Sequence, residues 1–302
     1  MNIIETQDLT RRFGKTEALH GLTLAVPTGS VFALLGPNGA GKTTTLKLLM
    51  NLLSPTAGSA TVLGVDSRRL GEREFAQIGY VSEGQQLPQW MTVRQLLDYC
   101  RPFYPTWDRG LEATLLQQFQ LPESRKLSEL SRGMLMKAAL LSSLPYRPKL
   151  LVLDEPFSGL DPLVRDEFIR GVLEVSALGE WTVVVSSHDI EEVERLADHI
   201  AMLEDGRLAL SERTKALQAR FRRIEVTQDE GGAVLANVPP AWREVEQAGR
   251  LVRFVDTAYE AAATERLCRE RFPSAAVVAQ PMSLREIFIV LARQARAKRA
   301  AA

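Results

Sequence analysis

The chain has 302 residues, 45% of them hydrophobic and 25% charged, an ordinary globular composition with apolar material for one large domain or two smaller ones. Lys+Arg and Asp+Glu balance at 37 each, so bulk charge gives no argument for a nucleic-acid partner and none is expected. Cys100 and Cys268 lie too far apart for metal-ligand spacing or a disulfide framework, which fits a reducing cytosol. The start, Met1-Asn2-Ile3-Ile4-Glu5, shows no secretory signal. No stretch approaches the roughly 18 apolar residues of a membrane span, so a membrane role needs another chain to supply the spans.

In chain order, the first thirty residues read as short strands, with Leu22, Leu24 and Val26 alternating as in a half-buried strand. Residues 31–35 are a continuous apolar run, the mark of a strand buried on both faces. Glycines break it, and residues 43–53 read as a helix with Leu46, Leu49, Met50 and Leu53 on one face. Residues 60–63 read as a short strand. From about 90 to 144 the pattern is helical, punctuated by Pro102, Pro105 and Pro122. Buried strands are expected at 150–153 and 182–186, each followed by a helix, so the core is α/β with a mainly parallel sheet. Residues 200–210 read as a hairpin turning at Asp205-Gly206. Beyond about 220 the texture changes: strands at 224–227, 251–255 and 277–279, helices at 258–272 and 283–296, and a basic, alanine-rich end expected to fray.

Gly36-Pro37-Asn38-Gly39-Ala40-Gly41-Lys42-Thr43 fits the phosphate-loop pattern G-x-x-x-x-G-K-[ST]. Its glycines let backbone N–H groups curl around phosphate oxygens. Lys42 offers a point charge to the outer phosphates, Thr43 a hydroxyl to Mg²⁺, and the following helix, with Thr44 in its first turn, points its positive end at the same anion. The strand at 150–153 delivers Asp154 and Glu155 at its end. Asp154 is placed to hold the magnesium shell and Glu155 to polarise an attacking water, a sufficient set for phosphoryl transfer.

Further motifs carry a family resemblance. Leu130-Ser131-Arg132-Gly133-Met134 resembles the Leu-Ser-Gly-Gly-Gln signature of ABC ATPases. Ser158-Gly159-Leu160-Asp161 is similar to the family's D-loop, and His188 to its switch histidine. The resemblance covers residues 1 to about 215. It implies a head-to-tail dimer sandwiching two ATP molecules, in which Ser131 and Gly133 reach the γ-phosphate held by the other subunit. It also implies adenine stacking on Phe13, for which any aromatic serves. His20 and His199 have no such context.

Two positions depart from the family pattern. Tyr80-Val81-Ser82 is followed by Glu83 where a magnesium-contacting glutamine is usual. Either Glu83 takes that role or the loop shifts to present Gln85 or Gln86. Glu83 in register adds a third carboxylate near Asp154 and Glu155, and predicts stronger dependence on free Mg²⁺ than in Glu83→Gln. Arg132 replaces the first signature glycine, either facing solvent or adding a cation beside the phosphate-binding turn. With Phe103-Tyr104-Pro105-Thr106-Trp107-Asp108, these departures resemble the bacterial exporter-type ATPases that pair with ABC-2-like permeases.

Trp90, Tyr99, Phe103, Tyr104 and Trp107 crowd the region that receives the permease in that family; they suit a docking surface or a helical core equally. Leu284, Ile287, Phe288 and Leu291 line one helical face, expected to be core or a dimer contact. Arg293, Arg296, Lys298 and Arg299 follow, favourable at a helix C-terminus, with weak attraction to anionic lipid as the second reading.

The expected architecture is a P-loop NTPase of ABC type over 1–220, with an antiparallel β subdomain and a helical signature subdomain at about 88–145, followed by a small α+β domain over 221–302. The expected activity is ATP hydrolysis with Mg²⁺, coupled to transport by a membrane-spanning permease, with a second ATPase subunit, identical or paralogous, at the cytoplasmic face of the cell membrane. The rival is a non-transport ABC ATPase of the translation or DNA-repair type; such chains carry two of these domains or long coiled-coil insertions, and this one has a single ATPase domain and no heptad run. A small-molecule P-loop kinase has no use for the signature or His188.

Overall fold

The protein, represented by a computed structural model, is described over residues 1–177, 181–228 and 238–300; of residues 174–177 and 295–300 only the backbone is described. It divides into two compact units, Met1–Ser211 and Glu212–Ala302. Arg220 shows why the division precedes residue 220. Its guanidinium pairs with Glu212 at 2.6 Å and donates to the Thr257 carbonyl at 2.9 Å, which anchors the Thr214–Arg220 helix in the second unit.

Five strands of the first unit's main sheet run parallel. The six-stranded sheet has the order Arg207–Arg213, His199–Glu204, Val31–Leu35, Thr182–Ser187, Leu150–Asp154, Ile78–Ser82. Val31–Leu35, Leu150–Asp154 and Thr182–Ser187 are buried at every position, which requires cover on both sides of the sheet. Their register sets the site: Ser82 lies opposite Asp154, Asp154 opposite Ser186, and Ser186 opposite Leu34. One row across the sheet therefore ends beside the phosphate loop. The outer hairpin turns through Asp205 and Gly206, both with positive φ (46° and 72°), as the favoured two-residue turn requires. Its tip is held by Gly206 N–H donating to the Ala40 carbonyl at 3.2 Å.

A second sheet of four strands, in the order Thr16–Pro27, Asn2–Phe13, Ala57–Val62, Val65–Asp66, forms the expected antiparallel subdomain. The two long strands pair antiparallel, and Ile4, Leu9, Leu22 and Val26 turn into the core. The helix after the phosphate loop is Lys42–Leu49, shorter than expected, because Asn51 takes a left-handed φ of 55° and reverses the chain before Leu53. The strand expected at 60–63 starts earlier, at Ala57, and stops at Val62, since Leu63 has φ 53°. The helical region comprises Val93–Cys100, Arg109–Gln118 and Arg132–Ser142, each N-capped by a side chain (Thr92, Asp108 and Ser131). Its buried hub is Glu112, which accepts hydrogen bonds from Arg94 (2.7 Å), Arg101 (3.0 Å) and Trp107 (2.6 Å). The aromatic run splits: Tyr104 stacks on Tyr146 at 3.7 Å, with Trp107 beside them, whereas Trp90, Tyr99 and Phe103 are 56–69% exposed.

The second unit is a four-stranded sheet in the order Trp242–Ala248, Leu251–Asp256, Arg222–Thr227, Ala276–Pro281, with helices Ala261–Arg271 and Leu284–Ala300. Trp242 stacks on Phe254 at 3.9 Å in its core. The Trp242–Ala248 strand escapes sequence reading because four of its seven residues are charged or polar and only Trp242 is buried. The last helix continues past the expected fray point. Leu284 and Ile287 are buried. The side chains of Arg296, Lys298 and Arg299 lie outside the described residues.

Candidate active site

The phosphate loop leaves the central Val31–Leu35 strand and enters the Lys42–Leu49 helix, so its N–H groups and the helix N-terminus converge on one point. Pro37, Asn38 and Gly39 are exposed at its tip, Gly36, Ala40, Gly41 and Lys42 are buried, and Thr43 and Thr44 are half-buried. Gly41 has φ 101°, and a Cβ there would meet the Ala18 carbonyl at 2.8 Å. Only glycine closes this turn.

Lys42 is 5% exposed, and its Nζ donates to the Gly36 carbonyl (2.7 Å) and the Pro37 carbonyl (3.2 Å). It also pairs with Glu155 Oε1 at 3.0 Å. The other Glu155 oxygen lies 2.8 Å from His188 Nδ1. Glu155 adopts φ 49°, a left-handed conformation that non-glycine residues rarely take, so the turn after the strand aims its carboxylate between the lysine and the histidine.

Asp154 is 4% exposed; its Oδ1 accepts from Thr43 Oγ1 at 3.1 Å and from Ser186 Oγ at 2.7 Å. Burial pushes its carboxyl above the ordinary range, the two hydroxyls oppose that, and the neighbouring Glu155 charge adds to it. One carboxylate and one hydroxyl form a hard-oxygen donor pair that suits magnesium held jointly with substrate phosphates. Among the described residues no group of three or more His, Cys, Asp or Glu forms an all-protein metal cage. The fit is therefore of the kind in which phosphates supply further ligands.

Sequence reading missed Ser186. Its hydroxyl donates to Asp154 and accepts the Glu155 N–H at 2.9 Å, so one buried serine orients both carboxylate residues. The available signal was a serine inside a fully buried valine strand, where a hydroxyl must find partners. Ser187 also escaped notice: it donates to the buried Glu192, which pairs with Arg165 at 3.3 Å. This ties the strand before His188 to the Pro162–Ala177 helix.

The remaining expected residues make separate local contacts. Phe13 is 44% exposed at the end of its strand, with the Arg11 guanidinium 4.5 Å from the ring centre. Ser131 Oγ accepts from the Met134 N–H at 3.2 Å and so caps its own helix. Asp161 caps the next helix through the Leu163 and Val164 N–H groups. Among the described hydrogen bonds and ion pairs, none joins Ser131, Arg132, Gly133 or Met134 to the phosphate loop.

Glu83 is placed differently from the expectation. Its N–H donates to the Asp154 carbonyl at 3.0 Å, so the backbone is in register. Its carboxylate turns instead to Arg132 (2.6 Å) and Ser158 (2.7 Å). A third carboxylate in the magnesium shell is not what this arrangement provides. Arg132, for the same reason, neither points free into solvent nor presents an unpaired cation. Gln85 Oε1 accepts from the Ser82 N–H at 3.4 Å. His20 pairs with Glu17, and His199 stacks over Phe32.

Known proteins resemble this chain in sequence and fold. The family model described as ABC transporter matches residues 19–158. The ABC transporter ATP-binding protein YhaQ of Bacillus subtilis is 34% identical over 229 residues, covering 72% of this chain and 74% of that one. The Nod factor export ATP-binding protein I of Burkholderia orbicola is 38% identical over 211 residues, 68% of each. A solved structure described as the ATP binding subunit of an ABC transporter superposes with a TM-score of 0.65 at 28% identity, covering 72% of this chain and 92% of that one. With these relatives beside the phosphate loop and paired carboxylates, the chain belongs to the ABC transporter ATP-binding family, ATPases whose hydrolysis of ATP powers transport.

Proposed function

We propose that two copies of this chain, or this chain and a paralogue, close head to tail around two ATP molecules and drive a membrane-spanning permease from the cytoplasmic face. The observation that carries this reading is the division of the expected site residues. Lys42, Thr43, Asp154, Glu155 and His188 form one connected cluster, while Ser131, Arg132 and Gly133 sit in another. A γ-phosphate on the loop needs that second cluster from another subunit.

In the mechanism that follows, Lys42 exchanges Glu155 for the outer phosphates, and the loop N–H groups bind the rest. Thr43 and Asp154 would hold magnesium, which supplies charge neutralisation for the transferring phosphoryl group. Glu155, released from the lysine, accepts the proton of the attacking water. His188 keeps the Glu155 carboxylate oriented through the Nδ1 contact and would sense the γ-phosphate through that carboxylate. Phe13 offers a ring for the adenine. Ser131 and Gly133, with Arg132 and Met134 beside them, face the other subunit's nucleotide, and Asp161 shapes the adjoining loop.

The exposed Trp90, Tyr99 and Phe103 are the surface offered to the permease. The Nod factor export relative supports an exporter-type assignment. Among the described residues no helix is long and apolar enough to cross a membrane, so the spans come from the partner. The test is Glu155→Gln with ATP in light scattering: a stable dimer is expected, and a monomer under saturating nucleotide sinks the sandwich.

A further inference from the structure

The two departures from the family pattern touch each other. Arg132 donates to Glu83 Oε1 at 2.6 Å, and Ser158 Oγ donates to the same oxygen at 2.7 Å. One carboxylate oxygen thus joins three segments: the loop after Ile78–Ser82, the first turn of the Arg132–Ser142 helix, and the loop after Glu155. The guanidinium is also seated. A Cβ on Gly159 would come within 2.5 Å of Arg132 Nη1 and 2.8 Å of its Cζ, so the bare glycine makes room for the flat group. At the next residue, a Cβ on Gly133 would come within 2.6 Å of Val164 Cγ1. Two consecutive residues of the signature helix therefore pack on the segment between Ser158 and Val164, and Glu83 closes the third side.

The contacts continue to the catalytic row, because the Glu83 N–H donates to the Asp154 carbonyl at 3.0 Å. The path runs from Asp154 through Glu83 to Arg132 and the helix N-terminus. Both charged side chains are about half exposed, and an exposed ion pair by itself contributes little to folding stability. What fixes this pair is its surroundings, a shared serine donor and a glycine seat.

We propose that Arg132 is a positioning residue. Held by Glu83, whose carboxylate Ser158 also anchors, and seated on Gly159, it positions the N-terminus of the signature helix relative to Asp154 and Glu155. The half-site a subunit offers is thereby aligned with the half-site it keeps. This rests on the two-subunit reading above. Glutamate at 83 and arginine at 132 act as one unit: either charge without the other stands unpaired beside the loop and frees the helix.

The test is a double-mutant cycle on the full chain, with ATP hydrolysis measured at saturating Mg²⁺ for Glu83→Gln, Arg132→Gly, both together, and the swap Glu83→Arg with Arg132→Glu. Each single change is expected to lower kcat roughly five- to thirty-fold, the scale of coupling through packed networks, with KM for MgATP nearly unchanged. The neutral double variant and the swap are expected to recover most of that loss. Additive losses overturn the proposal. A melting midpoint that falls in step with kcat across the set also overturns it, since that marks a merely structural role. Additive losses in a protein whose Glu155→Gln form still dimerises sink the pairing alone. Coupled losses in one that stays monomeric sink the two-subunit reading and leave the pairing standing.

Discussion

Two of the first unit's pairings of a basic side chain with a glutamate stand in opposite surroundings. Lys42 and Glu155 meet in a nearly dry pocket, with two carbonyls and His188 completing the set. Arg132 and Glu83 meet where water reaches both. Removing one member of the first pair leaves an uncompensated buried charge, which costs about 3–5 kcal/mol. Removing one member of the second leaves a charge that solvent screens, worth about 0–1 kcal/mol. The first pair is therefore preorganised by folding, before any ligand arrives. On the two-subunit proposal the second matters for orientation, because the surface that holds it would complete a site only against another molecule.

The sharpest way to break that comparison is Glu155→Gln. Loss of the water-activating carboxylate is expected to lower kcat by about 10²–10⁴-fold while ATP binding persists. Steady-state hydrolysis set beside equilibrium nucleotide binding checks it; a loss no larger than that of Arg132→Gly would mean that the buried pair has no special standing.

Glu112 tests burial as the cause, since it lies in the helical region that carries the signature helix yet is 4% exposed. Burial alone would disfavour its charge, but Trp107, Arg101 and Arg94 outweigh that and hold its carboxyl below the ordinary glutamate value. Glu112→Gln is expected to cost about 3 kcal/mol or more, read from urea midpoints. The sign with pH follows from a lowered folded value. The stabilisation is present above the unfolded glutamate pKa of about 4.3 and is lost as pH falls through the folded one. The difference between wild type and Glu112→Gln should therefore shrink on acidification below that value; a difference that grows there refutes the assignment.

Ser186→Ala leaves the Glu155 N–H and one Asp154 oxygen without their shared partner. A loss of about 1–3 kcal/mol in stability is expected. A kcat reduced roughly ten- to a hundredfold should accompany it, as the two carboxylates lose their alignment. Melting curves paired with single-turnover hydrolysis measure both; normal turnover in a destabilised protein would confine Ser186 to the fold. The smallest effect is expected from magnesium titration of Glu83→Gln. Because the Glu83 carboxylate faces Arg132 and Ser158, the Mg²⁺ midpoint should match that of the wild type, whatever happens to kcat. A shifted midpoint would place Glu83 in the metal shell after all.

Much of this was legible in the residues. The all-apolar runs at 31–35, 150–153 and 182–186 could only be buried strands, and the glycine spacing before Lys42 could only close around an anion. Local periodicity was a poorer guide where the chain turns on a single dihedral angle, as at Asn51 and Leu63. It failed for Trp242–Ala248, whose strand pairing rests on backbone hydrogen bonds that side chains scarcely advertise.

The sequence by itself determined the chemistry to expect: which groups suit phosphate, which carboxylates stand together, and that the chain departs from the family pattern at Glu83 and Arg132. Only the tertiary structure decided how those groups are spent. Sheet register set Ser186 between Asp154 and Glu155, and the packing of the signature helix on Gly159 brought Arg132 to Glu83, 49 residues away in the chain. Spacing along a chain records what lies on one element. Which elements meet is settled by burying the sheet and the helices together, and no local pattern contains that information.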